Sequence, residues 1–363
     1  MIGHKDFPSR SGGVEVVVYE LATRLALAGQ KITVYNRGRE KGHNRYSALG
    51  VNVRRIATFK KESLNAMVYS FIATLDALFR GYDIIHYHAI GPSVPLFLAH
   101  LFGKKTVSTV HGLNWRCDKW NRFASAYLKL GERIAARYAD EVIVLSEEMH
   151  EYFMKTYARN TVLIKNAISP IQQQPCRIIT EKFGLKCREY ILYIGRISPE
   201  KGPQDLIEAF RRTVTDKKLV IAGEMPDTDF IKEIKAAIGD SENIICTGFV
   251  SGDTMNELYS NAALYVLPSH TEGLALTLLE AMSCGARCMV SDIPENTAVL
   301  KDFGYTYHVG NIDSLAETLE MALSEPCENS RAEEQMKYIA DNYCYDSVVE
   351  KTLSVYQKVK NGQ

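Results

Sequence analysis

Residues 264–291 read LYVLPSHTEGLALTLLEAMSCGARCMVS. The apolar run that opens this stretch predicts a buried strand, and the last five residues predict another. Between them, Leu276, Leu279 and Met282 recur at helical spacing, and Gly285 can end the helix in the left-handed conformation. A strand, a helix and a second strand joined by short loops are typical of a parallel sheet. The stretch therefore indicates an α/β fold.

Two glutamates stand at the start of the predicted helix. Glu272 lies just before it and Glu280 about one turn inside it. The first amides of a helix have no partner within the helix and carry a partial positive charge. The amides near residues 275–277 can therefore bind a phosphate, with a carboxylate on either side. The alternative is an ordinary amphipathic helix with two solvated glutamates.

Strands and helices alternate through the whole chain. Its 363 residues exceed a single ordinary core and suggest two domains. We predict a doubly wound domain over residues 1–168, a second over residues 169–343, and a C-terminal helix over residues 344–363 that crosses back to the first. A linker rich in proline and glutamine opens the second domain. At the start, Met1 and Ile2 are interpreted as the end of a first strand, which either begins upstream or is very short.

Composition excludes several classes of protein. With 46% hydrophobic and 24% charged residues, the chain is typical of a globular protein. It has neither an apolar run of membrane-spanning length nor a recognisable signal peptide. Its eight cysteines form no CxxC pair, which favours a reduced cytoplasmic setting and argues against a metal site. GxGxxG and P-loop motifs are absent, which argues against a dinucleotide dehydrogenase or a P-loop enzyme.

The two halves differ in charge. Residues 1–172 contain 24 Lys and Arg against 14 Asp and Glu, whereas residues 173–363 contain 19 against 29. A basic first half predicts an anionic partner, such as a membrane surface or a phosphorylated acceptor; attraction between the halves is the alternative. The segment from Trp115 to Arg137 interleaves aromatic and basic residues, as in membrane headgroup regions. It also fits an amphipathic helix that covers the sheet.

Three further groups are candidate site residues. Gly12 and Gly13 precede a helix and permit a phosphate or sugar to approach, although a tight turn explains them equally. His111 follows a strand at its carboxyl end, where ligands bind in open α/β sheets; a structural histidine is the alternative. Arg196 and Lys201 share a loop between a strand and a helix and can both reach one diphosphate. Two solvated charges are the alternative there.

Taken together, the motifs resemble family 4 glycosyltransferases, and they occur in the order found in that family. They are Gly12-Gly13, Thr109-Val-His-Gly112, Gly195-Arg-Ile-Ser-Pro-Glu-Lys-Gly202, Ala222-Gly-Glu224, Gly248-Phe-Val250 and Glu272-x7-Glu280. The resemblance implies the GT-B fold, an α/β architecture of two Rossmann-like, doubly wound parallel-sheet domains facing a cleft. The opening of the chain is similar to bacterial exopolysaccharide and capsule enzymes, rhamnosyltransferases among them.

Two departures from the family pattern stand out. Glu-Gly-Leu-Ala-Leu276 replaces the family's Glu-Gly-Phe-Gly-Leu, and Asn166-Ala-Ile168 replaces its Asn-Gly-Val. Leu274 and Ala275 keep the backbone amides, but Ala275 could narrow the sugar pocket. Neither change removes a charged group.

What the resemblance implies is transfer of a sugar from a nucleotide-diphosphate sugar to a glycan or lipid-linked acceptor. Transfer would retain the anomeric configuration and serve cell-surface polysaccharide synthesis. Neither a metal nor another cofactor is implied. We expect a cytoplasmic enzyme, with contact to an anionic inner membrane face left open, and no nucleic-acid partner.

Specific residues receive roles by the same resemblance. Glu272 and His111 are expected to be catalytic. The expected donor-binding residues are Gly13, Arg196, Lys201, Glu224, Val250, Leu276, Thr277 and Glu280. A non-catalytic GT-B partner subunit and a GT-B nucleotide-sugar epimerase are the alternatives. Glycoside hydrolases also use paired carboxylates, but the cations Arg196 and Lys201 favour a phosphate-activated donor.

Overall fold

A computed structural model describes residues 1–10, 12–38, 45–58, 62–113, 115, 122–326 and 329–362. Residues 116–121, part of the predicted aromatic and basic segment, lie outside this set. The chain divides into two compact units. Unit 1 comprises Met1–Ala167 and Tyr345–Gln363, and unit 2 comprises Ile168–Cys344. The boundaries predicted from the sequence lie between 168 and 169 and between 343 and 344.

The described residues of unit 1 form seven strands. They are β1 (Thr33–Arg37), β2 (Arg45–Ala48), β3 (Val51–Ile56), β4 (Ile84–His88), β5 (Lys105–Val110), β6 (Glu141–Val144) and β7 (Val162–Leu163). They form a three-stranded sheet of order β1-β3-β2 and a four-stranded parallel sheet of order β4-β5-β6-β7. Of these described strands, only β2 runs antiparallel to its neighbour. The sequence did not predict β2.

The first residues of the chain lie between these two sheets. Ile2 N donates to His86 O at 2.9 Å, and His88 N donates to Ile2 O at 2.8 Å. On the other side, Tyr35 N donates to Met1 O at 3.1 Å. Ile2 forms a parallel bridge with Tyr87 and is fully buried. The segment therefore links β1 to β4 in the manner of a very short strand.

Among the described residues before unit 2, five helices pack on these sheets. They are α1 (Gly13–Leu27), α2 (Glu62–Leu78), α3 (Leu96–Leu101), α4 (Arg122–Tyr138) and α5 (Glu147–Tyr157). Consecutive helices from α2 to α5 pack side by side. The start of α5 is capped by Ser146 Oγ, which accepts a hydrogen bond from Met149 N at 3.3 Å. The sequence did not predict α3, whose six residues are too few for a periodic signal, nor α5.

Unit 2 contains one six-stranded parallel sheet. Its strands are β8 (Tyr190–Ile194), β9 (Lys218–Ala222), β10 (Ile244–Gly248), β11 (Leu264–Leu267), β12 (Cys288–Ser291) and β13 (Tyr305–Tyr307), in the order β10-β9-β8-β11-β12-β13. All residues of β8, β11 and β12 are buried. Burial of both faces is expected of a parallel sheet that is covered by helices on each side. The strand-helix-strand unit predicted at residues 264–291 is β11, a helix and β12.

In the described part of unit 2, eight helices and one 3-10 turn surround this sheet. The helices are α6 (Ile178–Phe183), α7 (Pro203–Arg212), α8 (Asp229–Ile238), α9 (Gly252–Asn261), α10 (Leu276–Ser283), α11 (Pro294–Leu300), α12 (Ile312–Ser324) and α13 (Asn329–Asn342). The 3-10 turn is Pro199–Lys201. The predicted linker contains α6, a short helix that buries Ile179 and ends at Gly184 with φ +64°. The sequence did not predict this helix at the entry to the second domain.

The last helix, α14 (Tyr345–Asn361), belongs to unit 1. It contacts α1, β4 and β5, and Val355 and Val359 join a buried cluster with Val107 and Ile143. Within the described part of the chain, no helix has both the length and the apolarity that a membrane span requires.

Candidate active site

The candidate site of unit 2 is built from loops that follow adjacent strands. Strand β8 pairs with β11, so the loops at their carboxyl ends lie side by side. Gly202 has φ +65°, and a Cβ built on it would lie 2.1 Å from Pro268 O. In addition, His270 N donates to Glu200 O at 3.0 Å. Glycine at position 202 therefore lets the two loops touch backbone to backbone.

This contact places Lys201 against Glu272. Lys201 Nζ lies 2.6 Å from Glu272 Oε1, and Ser269 Oγ donates to the same oxygen at 2.7 Å. The Glu272 side chain is only 7% exposed, whereas that of Lys201 is 24% exposed. The structure thus brings together two of the predicted site residues. Sequence reasoning did not assign a role to Ser269, although its spacing of three residues from Glu272 could have indicated one.

Arg196 opens the same loop, directly after Gly195. Its side chain is exposed and has no hydrogen-bond partner among the residues that the structure describes. Its carbonyl oxygen accepts a hydrogen bond from Tyr193 Oη at 2.7 Å. Burial first, and then the negative charge of Glu272, raises the pKa of Tyr193 above its usual value, so this phenol stays protonated as a donor. The backbone of Arg196 is therefore anchored while its guanidinium is accessible to an anion.

The start of α10 provides two backbone donors. Ala275 precedes the helix in extended conformation, and its carbonyl accepts from the amides of Leu278 and Leu279. The amides of Leu276 and Thr277 have no acceptor among the described residues. A buried tyrosine holds the side chain of Thr277, because Tyr265 Oη donates a hydrogen bond to Thr277 Oγ1 at 2.9 Å.

Glu280 lies one turn further along α10. Its Oε2 accepts a hydrogen bond from Tyr259 Oη at 3.0 Å. Tyr259 and Tyr265 are fully buried, and their ring centroids are 5.7 Å apart. Burial is the main cause that raises the pKa of each of them, so both are phenols at neutral pH. A pair of buried tyrosines therefore positions both Thr277 and Glu280.

Two predicted donor-binding residues follow the neighbouring strands. Glu224 comes two residues after β9, and its side chain is exposed without a hydrogen bond to any described residue. Val250 is partly buried and packs on the same hydrophobic cluster as Leu276. Gly223 lies close to the loop after β8, because a Cβ on it would be 2.2 Å from Gly195 O. Glycine there keeps the strand ends close together.

A histidine that the sequence did not single out joins the two main loops. His270 Nε2 lies 2.6 Å from Asp205 Oδ2, at the start of α7. The hydrogen bond to Asp205 is the main cause that raises the pKa of His270. Protonation of His270 therefore strengthens its tie to α7.

His111 and Gly13 both lie in unit 1. His111 follows β5, and its Nε2 is 3.2 Å from Nδ1 of His88, the last residue of β4. Burial lowers the pKa of His111 to about 4, so the imidazole is neutral at pH 7. Gly13 begins α1, and a Cβ built on it meets nothing within 4 Å. Packing within the described protein therefore does not require glycine at position 13.

Both halves of the chain match known protein families. Residues 176–342 match the model described as glycosyl transferases group 1, and residues 11–171 match that of Glycosyltransferase Family 4. The chain is 26% identical over 387 residues to N-acetyl-alpha-D-glucosaminyl L-malate synthase of Bacillus anthracis, an alignment that covers 100% of this chain and 99% of the relative.

Solved structures share the architecture. A sucrose-phosphate synthase from Thermosynechococcus elongatus superposes with a TM-score of 0.86 at 18% identity, covering 97% of this chain and 94% of that one. Anabaena HepE, solved in complex with UDP-glucose, superposes with a TM-score of 0.79 at 16% identity, covering 98% and 99%. At such identities the likeness establishes the fold, two α/β domains of the GT-B class.

Proposed function

Since its two halves match both glycosyltransferase models, the chain belongs to the family 4 glycosyltransferases of GT-B fold, and we propose that it is a retaining enzyme using a nucleotide-diphosphate sugar. The observation that carries this proposal is the arrangement around Glu272 in unit 2. There a nearly buried carboxylate, a lysine and an accessible arginine stand on two touching loops. Neither alternative, partner subunit or epimerase, is favoured by an observation of its own.

Arg196, Lys201 and the first amides of α10 are proposed to bind the diphosphate. Arg196 can offer a planar, bidentate donor, and Lys201 a mobile ammonium. Leu276 and Thr277 add two N–H donors at the positive end of a helix. Charge builds on the leaving diphosphate as the glycosidic bond breaks, so fixed donors aimed at it stabilise the transition state more than the ground state.

Glu272 is proposed to bind the transferred sugar. Because Lys201 and Ser269 both donate to Oε1, that oxygen is already occupied, and Oε2 is the atom we assign to a sugar hydroxyl. The negative charge of Glu272 also stabilises the cationic anomeric carbon of the transition state. The ammonium of Lys201 would then lie between the carboxylate and the diphosphate and contact both.

The nucleoside end of the donor is assigned to Glu280. A carboxylate accepts hydrogen bonds from both ribose hydroxyls, and Tyr259 fixes its orientation. Glu224 and Val250, after the neighbouring strands, are proposed as further donor-binding residues.

In unit 1, His111 is proposed as a catalytic residue that acts as a neutral imidazole, since burial lowers its pKa to about 4. Gly13 is proposed to allow close approach of the acceptor or a phosphate.

Retention is proposed to follow a front-face route. The bond between the anomeric carbon and the diphosphate oxygen breaks, and the acceptor oxygen bonds to the same face of that carbon. The departing phosphate oxygen takes the acceptor proton, so the products are the glycoside and the nucleoside diphosphate. No protein base is needed for this step, nor do we assign a metal to it.

The acceptor is proposed to be a glycan or a lipid-linked glycan of a cell-surface polysaccharide. We propose a cytoplasmic enzyme at the inner face of the membrane. A basic unit 1 supports this setting.

The proposal is tested by transfer assays on three variants. Glu272→Ala and Lys201→Ala are expected to lower kcat/KM for transfer at least about 100-fold, the usual cost of removing one transition-state donor or charge. The control is Lys217→Ala, a surface lysine of unit 2, which is expected to retain activity. Unchanged turnover in the Glu272 and Lys201 variants would contradict the proposal that these residues bind the nucleotide-sugar donor. Free epimerised nucleotide sugar formed without acceptor would favour the epimerase instead.

A further inference from the structure

Helix α2 turns a row of large apolar side chains to solvent. Ile72, Leu75 and Phe79, which directly follows the helix, are all exposed, and Phe79 is 81% exposed. Their spacing of three and four residues places them on one face. Packing within the described chain leaves this row uncovered.

Helix α4 repeats the same spacing. Phe123, Ala126 and Leu130 are exposed on one face, with Phe123 71% exposed. Between α2 and α4 lies α3, which contacts both helices and ends in the exposed Leu101 and Phe102. Of the 14 large apolar side chains that are exposed in the described chain, seven belong to these three helices or directly follow them. We call this surface the α2–α4 face.

The α4 part of this surface is also cationic. On α4 the exposed basic residues are Arg122, Lys129, Arg133 and Arg137. None of them forms an ion pair with a carboxylate of the described residues. The one carboxylate on α4, that of Glu132, is fully buried. The charges of Arg122 and Arg133 are therefore available to an anion, while Lys129 Nζ lies 4.2 Å from the ring centroid of Trp115.

Trp115, the first residue of the aromatic and basic segment, is hydrogen-bonded to the buried Glu132. Trp115 Nε1 donates to Glu132 Oε2 at 2.6 Å, and Tyr152 Oη donates to Oε1 at 2.8 Å. The indole is thus turned towards the interior of unit 1. Phe123 and Leu130, not Trp115, are the apolar groups that α4 presents to a partner.

We infer that the α2–α4 face docks on the surface of an anionic lipid bilayer. Separate bulky apolar side chains can insert among the acyl chains, while cations between them contact lipid phosphates. A folded protein partner would instead meet this mixture with its own paired carboxylates, which is the competing outcome. Beside α4, helix α5 exposes Glu147, Glu148 and Glu151, which an anionic surface repels, so α5 marks the edge of the contact.

This inference rests on the proposed function, because docking on a membrane would bring the chain to its proposed lipid-linked acceptor. Binding itself needs no transfer, so the two can be tested apart. The experiment is sedimentation of the full chain with phosphatidylcholine vesicles that contain or lack phosphatidylglycerol. The chain is expected to sediment with the anionic vesicles at low salt and to be released at high salt.

Two double variants test the residues. Arg122→Ser with Arg133→Ser is expected to weaken binding about 30-fold, close to fivefold per cation removed. Phe123→Ser with Leu130→Ser is expected to weaken binding at every salt concentration. Matched controls remove an exposed cation and an exposed apolar residue elsewhere, Lys337→Ser on α13 and Leu27→Ser on α1. Both controls are expected to bind as the unchanged protein does.

Three results would overturn the inference. They are absence of sedimentation with anionic vesicles, equal binding to neutral ones, and losses in the controls as large as in the double variants. A dimer that the double variants dissociate, with no vesicle binding, would assign the face to a second copy instead. Thermal stabilisation by nucleotide sugars is measured on the same proteins. If no nucleotide sugar stabilises the unchanged chain although that chain binds anionic vesicles, the proposed function is contradicted and the docking inference stands.

Discussion

At the scale of single residues, the charged groups of the site were predictable and their buried partners were not. Glu272 and Glu280 are marked by their distance from a predicted helix start, and Lys201 by a loop between a strand and a helix. Tyr259 and Tyr265 lie 21 and 12 residues from the groups they contact. Their direction depends on how α9 and β11 pack beneath α10. A local pattern contains no such information.

The tyrosine pair gives a prediction for donor binding. Tyr265 donates its proton to Thr277 Oγ1, which leaves the threonine hydroxyl proton for an anion. Tyr265→Phe is therefore expected to raise the dissociation constant of the nucleotide sugar about fivefold, which corresponds to the loss of one hydrogen bond of ~1 kcal/mol. Isothermal titration measures it.

Tyr307→Phe is the matched control. Its hydroxyl is buried in the same unit without a hydrogen-bond partner among the described residues, so its removal should leave affinity unchanged. Equal losses in the two variants would show that the effect comes from packing and not from the bond to Thr277.

At the scale of elements, the sequence predicted helices and strands whose apolar residues recur regularly. It missed elements whose conformation depends on tertiary contacts. The strand-helix-strand unit at residues 264–291 was predicted because apolar spacing, a glycine stop and short loops agreed. Helices α3 and α6 have six residues each, fewer than two turns, and β2 is a surface strand of four residues. Tertiary contacts decide such short elements. The closeness of the loops after β8 and β11 was equally hidden, because it depends on strand order.

Gly202 makes that closeness testable. Gly202→Ala adds a Cβ 2.1 Å from Pro268 O and forces a non-glycine residue to φ +65°. Gly184 has φ +64° but open space around its Cβ, so Gly184→Ala isolates the backbone cost of ~1 kcal/mol. We expect Gly202→Ala to lower the free energy of unfolding by about 2 kcal/mol more than that and to weaken donor binding. Urea denaturation of both variants measures the difference. Equal destabilisation would contradict the loop contact.

At the scale of the whole molecule, the two units are expected to differ in acid stability. Unit 1 contains His4, His86, His88 and His111, and burial lowers the pKa of each, to about 3 for His4 and about 4 for His111. The unfolded chain binds their protons near pH 6.5 and the folded chain does not, so acidification below 6.5 favours unfolding. In unit 2, His270 has a raised pKa and shifts stability in the opposite direction, being most stabilising below its unfolded pKa.

Hydrogen exchange resolves this difference region by region. Lowering the pH from 7.5 to 5.5 is expected to reduce the opening free energy of β4 and β5 by about 1.4 kcal/mol for each buried histidine that their opening exposes. The strands β8 and β11 of unit 2 serve as an internal reference, and their protection is expected to change little. Equal loss in both units would show that the buried histidines are not the cause.

Unit 2 is proposed to bind a nucleotide-diphosphate sugar through Lys201 and Glu272. The most direct measurement of this binding is the shift in melting temperature of the chain with a panel of nucleotide sugars, compared with Lys201→Ala and Glu272→Ala. Ligands that bind only the folded state raise that temperature. One donor, or one group of donors with a common base, is expected to stabilise the unchanged chain, and both variants are expected to lose the shift. A chain that no nucleotide sugar stabilises, or variants that keep the full shift, would contradict this proposal.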